Sequence, residues 1–225
     1  MPYLPEFESI FIHIPKNAGR SIEASLLPSG IDPDSGSRGL VNRAARFILN
    51  ASGNKIPPRY LMGTLDVVLA SQHLTLAEIR LLNLLPLKVL DSSFKFSVVR
   101  NPYDRALSSI FHFNPYLPRS VQAVEEALHE WIYMDCRDHN VLAHRRRQIE
   151  FVRDIDGSIS MDFLLRFERI NEDFEVLCEK IGARAKLPHI GRTERFKYRA
   201  LYSDCSRSMV RDAFYEDIEA FSYDF

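Results

Sequence analysis

Cysteine is scarce in this chain: Cys136, Cys178 and Cys205 are the only three in 225 residues, and none forms a CxxC pair. An odd, widely spaced set excludes a disulfide framework and a zinc knuckle, and leaves the thiols as packing residues in a reducing compartment. Charge of one sign is also missing. Twenty-nine Lys and Arg face thirty Asp and Glu, for a net −1. That excludes a globally basic surface for nucleic acid or membrane, so any anion site has to be a local cluster of donors. No apolar run approaches the roughly 18 residues of a spanning helix. The opening MPYLPEFESIFIHIPK lacks the basic start and long apolar stretch of a signal peptide. The expectation is a soluble, cytoplasmic protein with no membrane span, unless an anchor belongs to a longer chain. Repeats, low-complexity tracts and linkers are absent too, so one domain over residues 1–225 is expected.

What is present is an alternation of strand-like and helix-like segments. Ser9–Ile14 is a short β-branched and aromatic run and reads as a buried strand; Lys16–Gly19 has turn character, and Ser21–Leu27 reads as a helix. Pro28–Gly39 and Ala51–Pro58 read as loops around a helical Leu40–Leu49, and Val67–Ala70 as a second strand ending at His73. Thr75 with Glu78 has capping-box spacing ahead of Leu76, Ile79 and Leu82. Phe94–Val99 is the clearest later strand. A helix over Pro102–Phe113 follows, with proline in a first turn where its missing N–H costs nothing. Val121–Cys136 reads as a helix. Ile149–Val152 and Ser160–Phe167 read as strands joined by a turn at Asp156-Gly157. Asn171–Ile181 reads as a helix closed by Gly182, and Asp204–Tyr215 as a last helix. The sum is an α/β fold: a P-loop-like parallel sheet flanked by helices on both faces, with a more helical C-terminal part.

Two strand–loop–helix junctions carry chemistry. In Pro15-Lys16-Asn17-Ala18-Gly19-Arg20-Ser21 the helix start offers unpaired N–H donors, Gly19 allows close approach of a phosphate, and Lys16 and Ser21 add a cation and a hydroxyl. A Walker A loop has its lysine immediately before the helix; here Lys16 precedes Gly19, which argues against the ordinary nucleoside-triphosphate reading. At the second junction Arg100 ends a strand, and Ser108 lies about two helical turns on. A guanidinium suits forked contact with phosphate. The alternative is a structural ion pair between Arg100 and Asp104, with Ser108 as helix filler. In a doubly wound sheet both junctions fall on one edge, where ligands bind, and a nucleoside with phosphates at both ends would use both.

On these residues the chain resembles sulfotransferases. FIHIPKNAGRSIEASL resembles their 5′-phosphosulfate loop, FSVVRNPYDRALSSIFHF their 3′-phosphate segment, and ISMDFLLRFERINEDFEVLCEKIG a further segment of the same families. The likeness is greatest to carbohydrate sulfotransferases of the heparan and dermatan 2-O type and their bacterial relatives, with Pro28–Leu65 unmatched. The resemblance implies 3′-phosphoadenosine 5′-phosphosulfate as co-substrate, no metal, and a hydroxyl-bearing acceptor such as a glycan or glycolipid. It implies that Lys16 stabilises the leaving phosphate, that Asn17, Ala18, Gly19, Arg20 and Ser21 wrap the 5′-phosphate, and that Arg100 and Ser108 hold the 3′-phosphate.

Ser71-Gln72-His73-Leu74-Thr75 resembles the family segment that carries a catalytic histidine, with Gln72 where that segment has glycine, so His73 is the candidate base. His189–Tyr198 resembles a late loop that closes over the nucleotide, which makes Arg192, Thr193 and Lys197 secondary donor contacts. His13 reads as structural and His112 as a residue of the acceptor site. Arg166 and Glu168 read as braces. His139 and His144 sit near Arg145-Arg146-Arg147, which is either a solvated face or a contact for an acidic acceptor. A nucleotide kinase or other phosphotransferase, and a non-catalytic nucleotide-binding module of the same fold, are the competing readings.

Overall fold

The computed structural model describes residues 3–26, 73–188 and 198–225. The expected helix Leu40–Leu49, strand Val67–Ala70 and loops Pro28–Gly39 and Ala51–Pro58 lie outside them. A four-stranded sheet runs in the order β1 (Tyr3–Leu4), β2 (Ser9–Ile12), β3 (Phe94–Val99) and β4 (Phe163–Arg166). β2, β3 and β4 are parallel, with Ser9 opposite Phe94 and Phe96 opposite Phe163. β1 folds back antiparallel on β2. The sheet is therefore mixed, not wholly parallel as the strand–helix alternation implied. A two-residue strand carries no alternation signal, and only a tight reversal through Pro5–Phe7 brings it to the edge.

Alternate residues of the parallel strands feed two apolar layers, as the pleat requires. Phe11, Phe96, Val98 and Leu165 pack with Ile22 and Leu26 of α1 (Gly19–Leu26) and with Phe174 and Leu177 of α8 (Ile170–Ile181). Ile10, Ile12 and Val99 pack with α2 (Leu76–Leu81), α3 (Leu87–Ser92) and α7 (Gln148–Val152). A third, all-helical cluster joins α4 (Pro102–Phe113), α5 (Val121–Tyr133) and α9 (Asp204–Ala213), around Leu107, Leu128, Trp131 and Val210. α6 (His139–Arg145) and α10 (Tyr215–Ala220) complete the set. Helices thus cover both faces of the sheet. No helix among the described residues is long and apolar enough to cross a membrane.

Several element ends are set by the residues expected to set them. Thr75 and Glu78 exchange both capping-box bonds at 3.0 and 2.8 Å. Pro102 opens α4 behind an Asn101 cap. Gly182 ends α8 in the left-handed conformation, φ 70°. The strand expected at Ile149–Val152 is instead helix α7. Its first two N–H groups, on Gln148 and Ile149, donate to the carboxylate of Asp217, each at 2.8 Å. A four-residue apolar run cannot distinguish a buried strand from a buried helical turn, and a cap supplied from a residue nearly seventy positions away decided for the helix. The adjoining strand shortens from Ser160–Phe167 to Phe163–Arg166, and the turn at Gly157 (φ 82°) joins only an isolated bridge between Arg153 and Ile159.

Candidate functional site

β2 and β3 end side by side, and the loops that follow them touch. After Ile12 the chain passes through His13 and Ile14 into Pro15–Ala18 and enters α1 at Gly19. Lys16 and Ala18 both take positive φ, 68° and 61°, a conformation that costs non-glycine residues free energy and is found where surrounding contacts over-determine it. Those contacts are present. Asn17, 1% exposed, donates from Nδ2 to Val98 O at 2.6 Å and to Gln148 Oε1 at 2.7 Å. Arg100 donates from Nη1 to Lys16 O at 2.7 Å. Arg105, fully buried, donates from Nε to Pro15 O at 3.2 Å and from its other nitrogens to the carbonyls of His144 and Arg146. At the helix start Ala18 O accepts from the N–H of Ser21 and Ile22. The N–H groups of Asn17, Ala18 and Gly19 have no acceptor among the described residues. Alternating left-handed residues ahead of a helix turn such groups into an anion-binding concavity.

Gly19 is required by its neighbour. A Cβ there would lie 2.0 Å from Nε2 of His13. The His13 ring is itself held, since its Nδ1 meets Glu23 Oε1 at 2.7 Å, with both side chains buried. His13, expected to be structural, is so.

Lys16 is half-buried, and its ammonium is pushed down to about 8 by burial first, then by the charges of Arg100 and Arg20. Such a cation gains from an anion that replaces lost solvation. Arg20 is exposed in the first turn of α1, and Ser21 is half-buried with no side-chain hydrogen bond among the described residues. At the second junction Arg100 is 9% exposed. Its Nε donates to Asp104 Oδ2 at 2.8 Å, and its plane lies 4.0 Å from the centre of the Phe167 ring. The ion pair weighed from sequence is therefore formed, and Arg100 also joins the two loops. Ser108 is half-buried, and its hydroxyl forms no hydrogen bond among the described residues. Arg192, Thr193 and Lys197 lie outside the described residues.

A row of imidazoles borders the lysine. His73 meets His13 edge-on at 4.7 Å between ring centres and His144 at 5.5 Å, and His144 stacks on His112 at 5.5 Å. His73 Nδ1 lies 3.2 Å from His13 O. A carbonyl only accepts, so Nδ1 carries the proton and the lone pair of the neutral ring is on Nε2. Burial, then the neighbouring His13 and His144, hold His73 well below the ordinary histidine range, so the ring stays neutral. His112, exposed at the last turn of α4, is lowered by partial burial and by the charges of Lys16 and Arg20.

The arginine run has structural duties. Arg145 donates to Met134 O at the end of α5, Arg146 grips both carboxylate oxygens of Glu78, and Arg147 pairs with Glu216 and Glu150. Glu168 and Arg166 brace, as expected: Glu168 accepts from Asn101 N at 2.7 Å and from Tyr223, while Arg166 donates to Phe221 O. Sequence reasoning missed Gln148. Its side chain accepts from Arg100 N and Asn17 and donates to Arg100 O, which ties both loops to α7. It missed Arg105 and Asp217 as well. No local pattern marks residues whose partners are supplied from distant segments.

Among the described residues no group of three or more His, Cys, Asp or Glu is placed to hold a metal ion. No family model, curated protein or solved structure matches the chain.

Proposed function

We propose that the chain is a sulfotransferase with a P-loop-like fold that uses 3′-phosphoadenosine 5′-phosphosulfate to sulfate a hydroxyl of a carbohydrate-containing acceptor. The observation that carries the reading is the direct link between the two anion-binding junctions, Arg100 Nη1 to Lys16 O, on one edge of the parallel strands. Two donor-bearing junctions side by side suit a nucleoside with phosphates at its 5′ and 3′ positions. The donor supplies an activated sulfuryl group whose transfer to oxygen releases a phosphate.

The chain's part is positioning and charge stabilisation. The free N–H groups of Asn17, Ala18 and Gly19, with Ser21, hold the 5′-phosphate, and Arg20 adds charge at its rim. Lys16 neutralises the charge that develops on the leaving oxygen. Ser108, with the remaining donor capacity of Arg100, holds the 3′-phosphate. His73 accepts the acceptor's proton at Nε2. Arg192, Thr193 and Lys197 close over the nucleotide in this scheme.

The test is a thermal-shift titration with 3′-phosphoadenosine 5′-phosphate, adenosine 5′-diphosphate, and ATP with magnesium. At one hundred times the dissociation constant the doubly phosphorylated product should add about 2.7 kcal/mol of stability, or roughly 5–10 °C in a chain of this size. Adenosine 5′-diphosphate should do markedly less. No shift at millimolar product, or a larger one with ATP and magnesium, overturns the proposal in favour of a phosphotransferase. Binding without sulfate transfer to any hydroxyl acceptor leaves a nucleotide-binding module.

A further inference from the structure

Two imidazoles in the row, not one, offer a free lone pair. His144 Nδ1 lies 2.8 Å from Asn140 O, the carbonyl one helical turn back in α6. As with His73, a carbonyl partner forces the proton onto Nδ1 and leaves Nε2 as an acceptor. A free neutral histidine side chain favours the opposite tautomer, so both rings have been set by the backbone they touch. Burial pushes His144 down to about 3, against the bond to Asn140, and the charges of Arg105, His112 and Lys16 act in the same direction as burial. It therefore stays neutral beside His73.

The two rings meet edge to face at 5.5 Å. Neither Nε2 has a hydrogen-bond partner among the described residues. Around them stand the exposed His112, stacked on His144, and Phe113, edge-on to it at 4.9 Å. Lys16 acts on both His144 and His112 through its charge, so the two rings lie near the loop.

Each unprotonated Nε2 can accept one hydrogen bond. Two such acceptors on rings whose centres are 5.5 Å apart can serve two O–H donors of one ligand. Resting on the sulfotransferase reading, we propose that His144 is a specificity-determining residue that accepts a hydrogen bond from a second hydroxyl, next to the one that reacts, so that the site selects acceptors with two adjacent hydroxyl groups. In the step itself the reacting oxygen bonds to sulfur and its proton passes to His73 Nε2. The sulfur–oxygen bond to the 5′-phosphate breaks, and its electron pair stays on the phosphate beside Lys16. His144 holds the neighbouring hydroxyl throughout and exchanges no proton. The side chain of His112 and the ring of Phe113 supply flat surface against which the acceptor's carbon face rests.

The experiment uses the full chain with ¹⁵N-labelled histidine, with and without 3′-phosphoadenosine 5′-phosphate. In the free protein His73 and His144 should both show a protonated Nδ1 and an unprotonated Nε2. Titration with trans-1,2-cyclohexanediol should move both Nε2 resonances, and cyclohexanol should move that of His73 alone. In turnover, His144→Phe, which keeps a ring against His112 and Phe113, should lower kcat/KM for the diol about ten-fold, the worth of one hydrogen bond, and leave cyclohexanol and nucleotide binding unchanged. A His144 ring protonated on Nε2, a diol that leaves its Nε2 unmoved, or a diol preference that survives His144→Phe overturns the inference. Failure of the nucleotide to bind instead counts against the sulfotransferase reading. The diol titration without nucleotide then still decides whether His144 reads a second hydroxyl.

Discussion

Replacing Gly19 with alanine tests the packing beneath the loop. The residue is the first of α1 and its φ is not positive, so on propensity alone alanine should stabilise the helix by about 0.5–1 kcal/mol. The new methyl group, however, would sit 2.0, 2.2 and 2.4 Å from three atoms of the His13 ring. That ring has no easy retreat. Glu23 holds its Nδ1 at 2.7 Å, and Phe11 stacks against it at 5.6 Å. Forcing extra volume into such a site costs about 1–3 kcal/mol. If the ring leaves Glu23, a buried unpaired group adds about 1–3 kcal/mol more. With the ring displaced the two costs together exceed the propensity gain, and the net loss is roughly 1–5 kcal/mol, or at least ~2 °C in melting temperature at 2–4 °C per kcal/mol. Urea unfolding of the wild type, Gly19→Ala, His13→Ala and the double variant measures it. In the His13→Ala background the glycine substitution should be neutral or stabilising. A Gly19→Ala chain as stable as wild type, or a loss that persists without the imidazole, refutes the reasoning.

Two further expectations concern the same loop. An unfolded lysine titrates near 10.4 and Lys16 in the fold near 8. Between those values the unfolded chain holds a proton that the folded chain has released, so stability rises with pH from about 8 to about 10.4. Lys16→Met should flatten that rise in urea unfolding across the range, while in wild type the affinity for 3′-phosphoadenosine 5′-phosphate falls above pH 8 as the ammonium is lost; a pH-independent affinity would show that Lys16 does not meet the anion. Gln148→Leu strands the buried N–H and C=O of Arg100 and should cost roughly 2–5 kcal/mol. A urea midpoint within error of wild type would mean that water or another side chain takes over.

Features governed by near neighbours were legible in the sequence. Thr75 with Glu78, Pro102 and Gly182 set helix ends through contacts within a few residues, and the Phe94–Val99 strand carries enough β-branched and aromatic weight to stand alone. The two junctions were legible because strand, turn and helix are contiguous there. What sequence could not show is which long-range partner each polar group finds. Ile149–Val152 became helix because Asp217 caps it. Arg100 gave two of its five N–H donors to Asp104 and Lys16 O, a division that residue spacing leaves open. The histidine row draws on His13, His73, His112 and His144 from separate segments, and only His73 stood out by its surroundings in the chain.

Asp217 holds the start of α7, Gln148 at that start holds Asn17, and Asn17 sits between the two left-handed residues of the loop. The order of synthesis therefore runs opposite to the order of completion. The loop leaves the ribosome well before Asp217, which lies two hundred positions after Asn17 and supplies the last polar contact in its support. Until then its strained turns lack their full restraint, and under the proposed reading a nascent chain would bind nucleotide only weakly. Ligand binding would then report that the far end of the fold has arrived.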